Sequence, residues 1–276
     1  MTGQTKTILI TGSTDGVGRR VAGRLAKPGI TVLVHGRNQE RGKSLVRTIR
    51  DLGGDAAFYS ADFASLDDVR RLAEDVQRDH SRLDVLINNA GIGVAGAYPR
   101  RSESRDGFEL RFAVNYLAGF LLTRLLLPLL KASPAARIVN VASIGQQAID
   151  FADVMLTRGY SGRRAYCQSK LAQIIFTFNL AEELQGSGVT ATALHPATYM
   201  DTAMVHGDGV APASGVDEGA DAILNLAVSP EMADRTGLYF DGLRPARAQP
   251  QAYDAAARAR LRVLSLELTG LAATIA

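Results

Sequence analysis

The sequence predicts an α/β fold in which a parallel sheet is covered by helices on both faces. Short apolar runs and segments with helical spacing alternate along nearly the whole chain of 276 residues, and this alternation is typical of βαβ units. The composition, 46% hydrophobic and 21% charged, is sufficient for a large buried core. No linker, repeat or low-complexity tract interrupts the sequence, so we expect one domain spanning residues 1–276.

In the first half of the chain, each apolar run of strand length is followed by a segment with helical spacing. Ile8-Leu9-Ile10-Thr11 precedes a helix that ends near Pro28, and the apolar run at residues 30–34 precedes the next helix. The strands predicted here cover residues 8–11, 30–34, 56–60 and 85–87. The second helix is predicted at residues 39–52. A third helix is predicted over residues 66–76, where apolar residues form one helix face.

The second half continues the alternation with longer helices. Strands are predicted at residues 137–142, 189–194 and 237–240, and helices at residues 110–131, 164–185, 216–228 and 252–268. Two irregular stretches, at about residues 145–163 and 197–214, are long for loops in a compact domain. We expect both stretches to shape a substrate pocket, because long loops on a rigid scaffold are often functional.

Charge and cysteine content exclude several classes of protein. The net charge of +3 comes from 31 basic and 28 acidic residues that are scattered, so we do not expect nucleic-acid binding. The single cysteine, Cys167, excludes an intrachain disulfide framework, and the histidines lack the spacing of metal ligands. The N-terminus has no signal-peptide pattern, and the apolar residues 117–130 are interrupted by Arg124 and Pro128. We expect a soluble, cytoplasmic protein with no membrane span.

A glycine-rich loop follows the first predicted strand. The loop has the spacing Gly12-x-x-x-Gly16-x-Gly18 and lies between a predicted strand and a predicted helix. This is the context that a dinucleotide site needs. Glycines permit a tight turn and let backbone N–H groups approach a pyrophosphate at the helix N-terminus. We expect cofactor contacts from Gly12, Ser13, Thr14, Asp15, Gly16, Val17 and Gly18. The alternative is a glycine-rich turn that binds no ligand.

The end of the second strand bears on which dinucleotide is bound. A carboxylate at this point would bind the ribose hydroxyls of NAD(H), whereas an arginine accommodates the 2′-phosphate of NADP(H). Gly36 occupies the position expected for the acid, and Arg37 follows it. A guanidinium group suits a phosphate, so NADP(H) is preferred and NAD(H) stays possible. A solvated loop arginine is the alternative interpretation of Arg37.

The predicted helix at residues 164–185 carries a candidate catalytic pair. Tyr166 and Lys170 are i and i+4 and therefore lie on the same helix face. A phenol with its usual pKa of about 10 transfers protons poorly at neutral pH, and a fixed ammonium group is expected to lower that pKa. Such a pair can exchange a proton with an alcohol or carbonyl oxygen. The spacing alone also fits two ordinary surface residues.

Four motifs occur together in one order. They are the glycine loop, Asn88-Asn89-Ala90-Gly91, Ser143 after the fifth strand, and Tyr166-x-x-x-Lys170. With these motifs the chain resembles the short-chain dehydrogenase/reductase family over nearly its whole length. The segments Arg158-Gly159-Tyr160-Ser161, Ala165 to Ala172 and His195-Pro196 are most similar to the retinol-dehydrogenase-related branch. The resemblance implies a Rossmann-type, doubly wound parallel sheet of about seven strands in a three-layer α/β/α domain.

The resemblance also implies roles for four candidate catalytic residues. Tyr166 would be the general acid/base, and Lys170 would lower its pKa and bind the nicotinamide ribose. Ser143 would hydrogen-bond the substrate oxygen, and Asn115 would hold a water that links Lys170 to solvent. Taken alone, Ser143 could cap a turn and Asn115 could be a structural helix residue.

Further cofactor contacts follow from the same resemblance. Asp62 would contact adenine with Phe63 beside it, although Asp62 could instead be a helix N-cap, a role that Ser65 could equally supply. The adenosine and ribose side would be lined by Asn88, Asn89, Ala90 and Gly91. Asn88-Asn89 could also simply end the fourth strand.

One segment departs from the family pattern. After the sixth strand, Pro196-Ala197 stands where the family usually has Pro-Gly. Pro196 is expected at the cofactor, and Thr202 and Thr198 compete for the nicotinamide carboxamide. Thr202 lies one residue further along the chain than the family pattern requires, so both threonines stay candidates.

The predicted reaction is hydride transfer between NADPH and a carbonyl carbon, with Tyr166 protonating the oxygen, or the reverse oxidation of an alcohol. One alternative is a carbon–carbon double-bond reductase of the protochlorophyllide-reductase type, and another is a non-catalytic NADP(H)-sensing protein. The partner is a small-molecule alcohol or carbonyl compound whose identity the motifs do not reveal. A homodimer through the helices at residues 110–131 and 164–185 is possible. The alternative is that Leu121, Leu122, Leu125 and Leu126 pack against their own sheet.

Overall fold

The computed structural model describes residues 5–95 and 100–271. Eight strands form one sheet, and eight α-helices accompany them in the described part of the chain. The strands are β1 (Lys6–Ile10), β2 (Ile30–Gly36), β3 (Asp55–Ser60), β4 (Val85–Asn88), β5 (Arg137–Val141), β6 (Thr190–His195), β7 (Leu238–Asp241) and β8 (Arg244–Ala246). The helices are α1 (Gly16–Arg24), α2 (Gln39–Asp51), α3 (Leu66–Asp79), α4 (Ala118–Lys131), α5 (Gly162–Glu183), α6 (Ala203–Gly207), α7 (Val216–Val228) and α8 (Ala255–Leu268).

The sheet has the strand order β3-β2-β1-β4-β5-β6-β7-β8. All neighbouring strands pair in parallel except β8, which is antiparallel to β7 at the edge. The order reverses direction between β1 and β4, and ligands of doubly wound sheets bind beyond the carboxyl ends of the strands at such a point. The predicted fold class is therefore confirmed, and the topology indicates where a site should lie.

The central strands are buried on both faces, which explains why they read as continuous apolar runs. Ile8 and Ile10 of β1 pack with Val21 of α1 on one face, together with residues of α2 and α7. Leu9, between them in the sequence, packs on the other face with residues of α3, α4 and α5 such as Leu171. Alternation along a strand thus supplies both cores.

Several elements differ from the expectations. The sheet has eight strands rather than about seven. The strand that was not predicted is β8, which has three residues including Pro245 and is too short to give a sequence pattern. The stretch 197–214 contains the short helix α6. The helix predicted at residues 252–268 is divided into a 3₁₀ turn, Pro250–Tyr253, and α8. The predicted domain also includes residues 1–4, 96–99 and 272–276, which lie outside the described residues.

One helix is long and apolar enough to cross a membrane by length and composition. It combines a π-helical turn, Phe112–Leu117, with α4, so that helix runs unbroken from Phe112 to Lys131 despite Pro128. The helix is thus longer than the apolar run of residues 117–130, and neither Arg124 nor Pro128 ends it. Its most apolar window is 67% buried inside the protein, as in a core helix of a soluble protein. The absence of a membrane span stays a prediction.

Candidate active site

The glycine loop lies between β1 and α1, packed closely against the segment that follows β4. Gly12 has a φ of +66°, and a Cβ atom on it would lie 2.8 Å from the Cα atom of Ala90. A Cβ atom on Gly18 would lie 2.5 Å from Asn89 Nδ2. Side chains at these two positions would displace backbone, so the loop needs glycine there. The turn, in which Asp15 is exposed, lies at the N-terminus of α1, where backbone N–H groups are able to bind a phosphate.

Asn89 and Thr11 join the glycine loop to the end of β4. Asn89 Nδ2 donates to the carbonyl oxygens of Thr11 at 2.9 Å and Gly12 at 3.2 Å. Thr11 Oγ1 accepts from the backbone N–H groups of Asn89 at 2.9 Å and Ala90 at 3.0 Å. Thr11 was missed by the sequence reasoning, although its place directly before Gly12 is a usable signal.

Asn88 is not placed as expected. Its side chain is buried, and Nδ2 donates to Thr123 Oγ1 and Asn140 Oδ1, both at 2.9 Å. These contacts tie β4 to α4 and β5 inside the core. The alternative structural interpretation of Asn88 is therefore the correct one.

The end of β2 has no room for a larger side chain at Gly36. A Cβ atom on Gly36 would lie 2.5 Å from Thr14 Oγ1 of the glycine loop. Arg37 is 60% exposed, and its Nη1 atom is 3.9 Å from Asp62 Oδ1. Asp15 caps α1 and forms a 2.6 Å ion pair with Arg41. The site thus presents guanidinium groups near the expected adenosine ribose.

Asp62 and Phe63 follow β3 beside this position. Asp62 is not a helix N-cap, because Ser65 caps α3. The ring of Phe63 is buried and stacks on His35 with a centroid distance of 4.5 Å. The side chain of Phe63 therefore belongs to the core, and a contact with a cofactor would have to come from its backbone.

Helix α5 carries Tyr166 and Lys170 at the carboxyl end of β5. Ser161 caps the helix by accepting from the N–H group of Arg164 at 3.1 Å. Lys170 is only 5% exposed, and its Nζ donates to the Val141 carbonyl at 2.9 Å. The same Nζ atom donates to Gln173 Oε1 at 3.0 Å and lies 5.7 Å from the centroid of the Tyr166 ring.

Burial sets the protonation of this pair. The pKa of Tyr166 is raised to about 12, chiefly because burial disfavours the phenolate, while a hydrogen bond with Ser143 opposes this rise. Burial lowers the pKa of Lys170 to about 7. The expectation of a lowered phenol pKa was therefore wrong for this structure. The reason is that desolvation is the largest influence on the phenol, while Lys170 Nζ bonds the Val141 carbonyl and Gln173 rather than the phenol.

Ser143 and Asn115 complete the cluster. Ser143 follows β5, its hydroxyl lowers the pKa of the nearby Tyr166 phenol, and its Oγ accepts from the N–H group of Gly145 at 3.0 Å. Asn115 lies in the π-helical turn, where Oδ1 accepts from the Ile92 N–H group at 2.8 Å. Its Nδ2 atom donates to Ser169 Oγ at 3.0 Å. All four predicted catalytic residues are thus held around one point by α5, β5 and the π-helical turn.

Gly91 connects this cluster with the glycine loop. A Cβ atom on Gly91 would lie 3.3 Å from Asn115 Oδ1 and 3.6 Å from Lys170 Nζ. Ala90, its neighbour, contacts Gly12. The predicted cofactor residues and the predicted catalytic residues therefore meet at the segment that follows β4.

The two candidate threonines after β6 are placed differently. Thr198 Oγ1 lies 3.0 Å from His195 Nε2, so its hydroxyl already has a partner. Thr202 caps α6, and its Cγ2 atom lies 3.4 Å from the Cβ position of Gly16. Thr202 thus packs on the glycine loop despite its extra residue of spacing. Pro196 packs against α7, with its Cβ 3.4 Å from the Cβ position of Gly219.

The segment after β4 is held from two sides by contacts that the sequence did not reveal. Asp208, from the stretch 197–214, accepts from the N–H groups of Val94 at 2.9 Å and Ala95 at 2.6 Å. Arg111 is fully buried and donates to the Val94 carbonyl and to the Tyr160 hydroxyl, both at 2.6 Å. Both predicted substrate stretches therefore reach the loop beside the cluster. No sequence motif marks Asp208 or Arg111, whereas Tyr160 lies in a segment that the sequence analysis singled out.

A groove of about 760 Å³ lies elsewhere, between residues 151–157 and one face of α8. It is mainly apolar, and none of the four predicted catalytic residues lines it. Because the proton-transfer groups lie at the carboxyl edge of the sheet, we place the site there rather than in this groove.

Comparison with known proteins agrees with this geometry. The sequence pattern of the short chain dehydrogenase family matches residues 6–210. Human retinol dehydrogenase 13 is 37% identical over 97% of this chain and 86% of its own length. A crystal structure of an uncharacterised protein from Mycobacterium paratuberculosis has a TM-score of 0.80 at 32% identity, covering 97% of this chain and 94% of that one. A short chain dehydrogenase from Shigella flexneri complexed with NADP has a TM-score of 0.67 at 26% identity, covering 87% and 97%.

The family match spans most of the chain, and the relatives share its α/β architecture over nearly their full length. The ordered motifs found in the sequence lie together in space around the segment after β4. The chain therefore belongs to the short-chain dehydrogenase/reductase family of oxidoreductases, within its retinol-dehydrogenase-related branch.

Proposed function

We propose that this protein is an NADP(H)-dependent oxidoreductase that reduces a carbonyl compound to an alcohol, or catalyses the reverse reaction. The observation that carries the proposal is the clustering of Ser143, Tyr166, Lys170 and Asn115 next to the glycine loop. A proton donor, a hydroxyl group and a buried amine converge where the switch in strand order places ligands.

The cofactor would be held along the edge from β2 to β5. The glycine loop would bind the pyrophosphate, Arg37 the 2′-phosphate, and Asp62 the adenine. The remaining contacts come from Asn89, Ala90, Gly91, Pro196 and Thr202, with Thr198 as the rival of Thr202. The close packing of Gly12 and Gly18 supports this arrangement, because any side chain at these two positions would clash with neighbouring atoms and change the loop conformation.

When bound, NADPH supplies a hydride to the carbonyl carbon. Tyr166 donates its phenolic proton to the oxygen on which negative charge develops, and its raised pKa keeps that proton in place at neutral pH. Ser143 hydrogen-bonds the same oxygen and stabilises the charge. Lys170, whose pKa lies at about 7, can supply the proton that restores the phenol of Tyr166, and Asn115 would hold the water that links Lys170 to solvent.

The NADP preference is supported by Gly36 and Arg37, and the NADP complex of the Shigella relative agrees with it. We expect Arg37→Ala to weaken NADPH binding roughly tenfold or more while NADH binding changes little, because a charge-assisted contact to phosphate is lost. Fluorescence titration with both cofactors measures this difference. Arg47→Ala, an exposed arginine on α2, is the matched control. Equal NADPH affinity in wild type and Arg37→Ala would contradict the assignment.

The proposed reaction is tested by a cofactor-consumption screen against a diverse panel of aldehydes and ketones, with NADPH and NADH in parallel. The names of the relatives make retinal a reasonable member of the panel. Product analysis by mass spectrometry and NMR distinguishes an alcohol from a saturated carbonyl product. Tight NADPH binding without turnover across the panel would instead favour a sensing protein.

A further inference from the structure

His35 is a buried imidazole at the carboxyl end of β2 whose contacts reach the glycine loop. The side chain is 3% exposed, and its Nδ1 atom accepts from the N–H group of Gly12 at 3.1 Å. The backbone of the same residue also bonds Ser13. Ser13 N donates to the His35 carbonyl at 2.9 Å, and His35 N donates to Ser13 Oγ at 3.0 Å. One residue therefore attaches two successive positions of the loop to β2.

The other face of the ring contacts the segment that follows β3. The imidazole stacks on Phe63 at a centroid distance of 4.5 Å and an interplanar angle of 27°. Nε2 is buried and makes no well-aligned hydrogen bond within the described residues, and the Ala61 carbonyl is the acceptor beside it. His35 thus lies between the glycine loop and residues 61–63, the two segments expected to hold the adenosine half of the cofactor.

The Gly12 contact requires one protonation state. Nδ1 can accept a hydrogen bond only when it carries no proton, so the ring must be neutral with its proton on Nε2. Burial lowers the pKa of His35 to about 4, with Asp62 opposing this shift and Arg37 adding to it. The neutral ring is therefore the form present at physiological pH.

We propose that His35 is a positioning residue of the dinucleotide site, which holds the glycine loop in its binding conformation through the Nδ1 contact with Gly12. This inference rests on the proposed function, because it assumes that the loop binds NADP(H). A loop fixed before binding loses less conformational entropy when the ligand arrives, so the contact adds to affinity for the adenosine and phosphate groups. The ring lies away from the Tyr166 cluster and does not take part in proton transfer.

Two substitutions distinguish the contribution of the aromatic ring of His35 from that of its hydrogen-bond acceptor, Nδ1. His35→Phe keeps an aromatic ring against Phe63 but removes the acceptor, whereas His35→Asn offers Oδ1 near the position of Nδ1 without a ring. We expect His35→Phe to raise the Kd of NADPH and of 2′,5′-ADP by the same factor, about tenfold, because a buried N–H group loses its acceptor. We expect His35→Asn to stay within about threefold of wild type. Calorimetric titration of both ligands measures these values.

The two ligands and the steady-state rates make the test specific. 2′,5′-ADP contains the adenosine half alone, so an equal loss for both ligands places the effect at the glycine loop. The kcat at saturating NADPH should stay near the wild-type value while the KM for NADPH rises. A general structural defect would instead lower kcat and the melting temperature together in both variants.

Wild-type Kd values in His35→Phe would overturn the proposal. If that variant does not fold, long-range ¹H–¹⁵N spectra of the wild-type protein decide, because they report which ring nitrogen of His35 carries the proton. A proton on Nδ1 at neutral pH would overturn the proposal, and an Nε2–H tautomer with a shifted Gly12 amide supports it. Failure of the wild type to bind NADPH would instead contradict the proposed function.

Discussion

The pKa values of Tyr166 and Lys170 depend more on burial than on the interaction between the two residues. Tyr166 and Lys170 lie on one helix face, yet the pKa of the phenol is raised and the pKa of the amine is lowered. Both shifts favour the neutral form, as expected where desolvation dominates. A neutral phenol is the form that can donate a proton, as the proposed reduction requires of Tyr166.

The first residue-scale prediction concerns Tyr166. We expect Tyr166→Phe to reduce turnover by at least about 100-fold, because the proton donor is removed, while the NADPH affinity stays the same. Steady-state kinetics and a binding titration measure the two quantities. Tyr59→Phe, a tyrosine whose hydroxyl bonds Asp79 away from the cluster, is the control. Near-normal turnover in Tyr166→Phe would remove this residue from the mechanism.

The second residue-scale prediction concerns Lys170 and pH. Its pKa of about 7 in the folded protein lies below the unfolded value of about 10.5, so the unfolded state binds more protons between these values. The free energy of unfolding of the wild type should therefore rise with pH in this window, by roughly 2 kcal/mol between pH 7 and 9 relative to Lys170→Met. Urea denaturation at several pH values measures it. A constant difference between the two proteins would show that the amine titrates normally.

At the scale of elements, helix α5 is positioned by a close backbone contact at its first residue. A Cβ atom on Gly162 would overlap the Val94 carbonyl oxygen and approach Arg111. The start of the helix therefore determines how Tyr166, one turn later, is placed relative to the segment after β4. The π-helical turn does the same for Asn115, because it widens the helix where the side chain turns to Ile92.

We expect Gly162→Ala to lower the free energy of unfolding by roughly 1–3 kcal/mol, because the added methyl group forces α5 away from Val94. The matched control is Gly23→Ala in α1, where a Cβ atom would have no neighbour within 4 Å. That control should raise stability by up to about 1 kcal/mol. Chemical denaturation compares the two variants. Equal free energies of unfolding would show that the backbone at Val94 can move away from the added methyl group without loss of stability.

At the scale of the whole molecule, Asp208 links the stretch 197–214 to the segment after β4, 113–114 residues away in sequence. We expect Asp208→Ala to accelerate amide hydrogen exchange at Val94 and Ala95, because both N–H groups lose their acceptor. The amides of β1 and β4 should exchange as in wild type. Asp201→Ala is the control, because the carboxylate of Asp201 bonds His206 on the surface. Unchanged exchange at Val94 would show that the link is not formed in solution.

The assembly and location of the protein stay predictions. Leu121, Leu122 and Leu126 are fully buried in their own core, and Leu125 is partly buried, which matches the alternative to a helix interface. Helix α5 is also covered by α8. Sedimentation velocity tests the possible homodimer, and cell fractionation tests the cytoplasmic location.

The sequence by itself determined the α/β class and most element bounds, and it named the four predicted catalytic residues that the fold brings together. Residues 216–228 were predicted as a helix and form α7 with the same bounds, because hydrophobic periodicity records local backbone geometry. Tyr166 and Lys170 were predicted on one helix face for the same reason. The sequences of the three-residue β8 and of the π-helical turn show no such hydrophobic periodicity, so these two elements could not be predicted.

Only the tertiary structure decided which groups are buried and which distant partners meet. It placed Asn88 in the core, Thr202 on the glycine loop, and Asp208 on the backbone of Val94. It also reversed the expected shift of the Tyr166 pKa, since desolvation depends on every element packed around the phenol. Contacts between residues far apart in the chain arise from packing, and no local pattern encodes them.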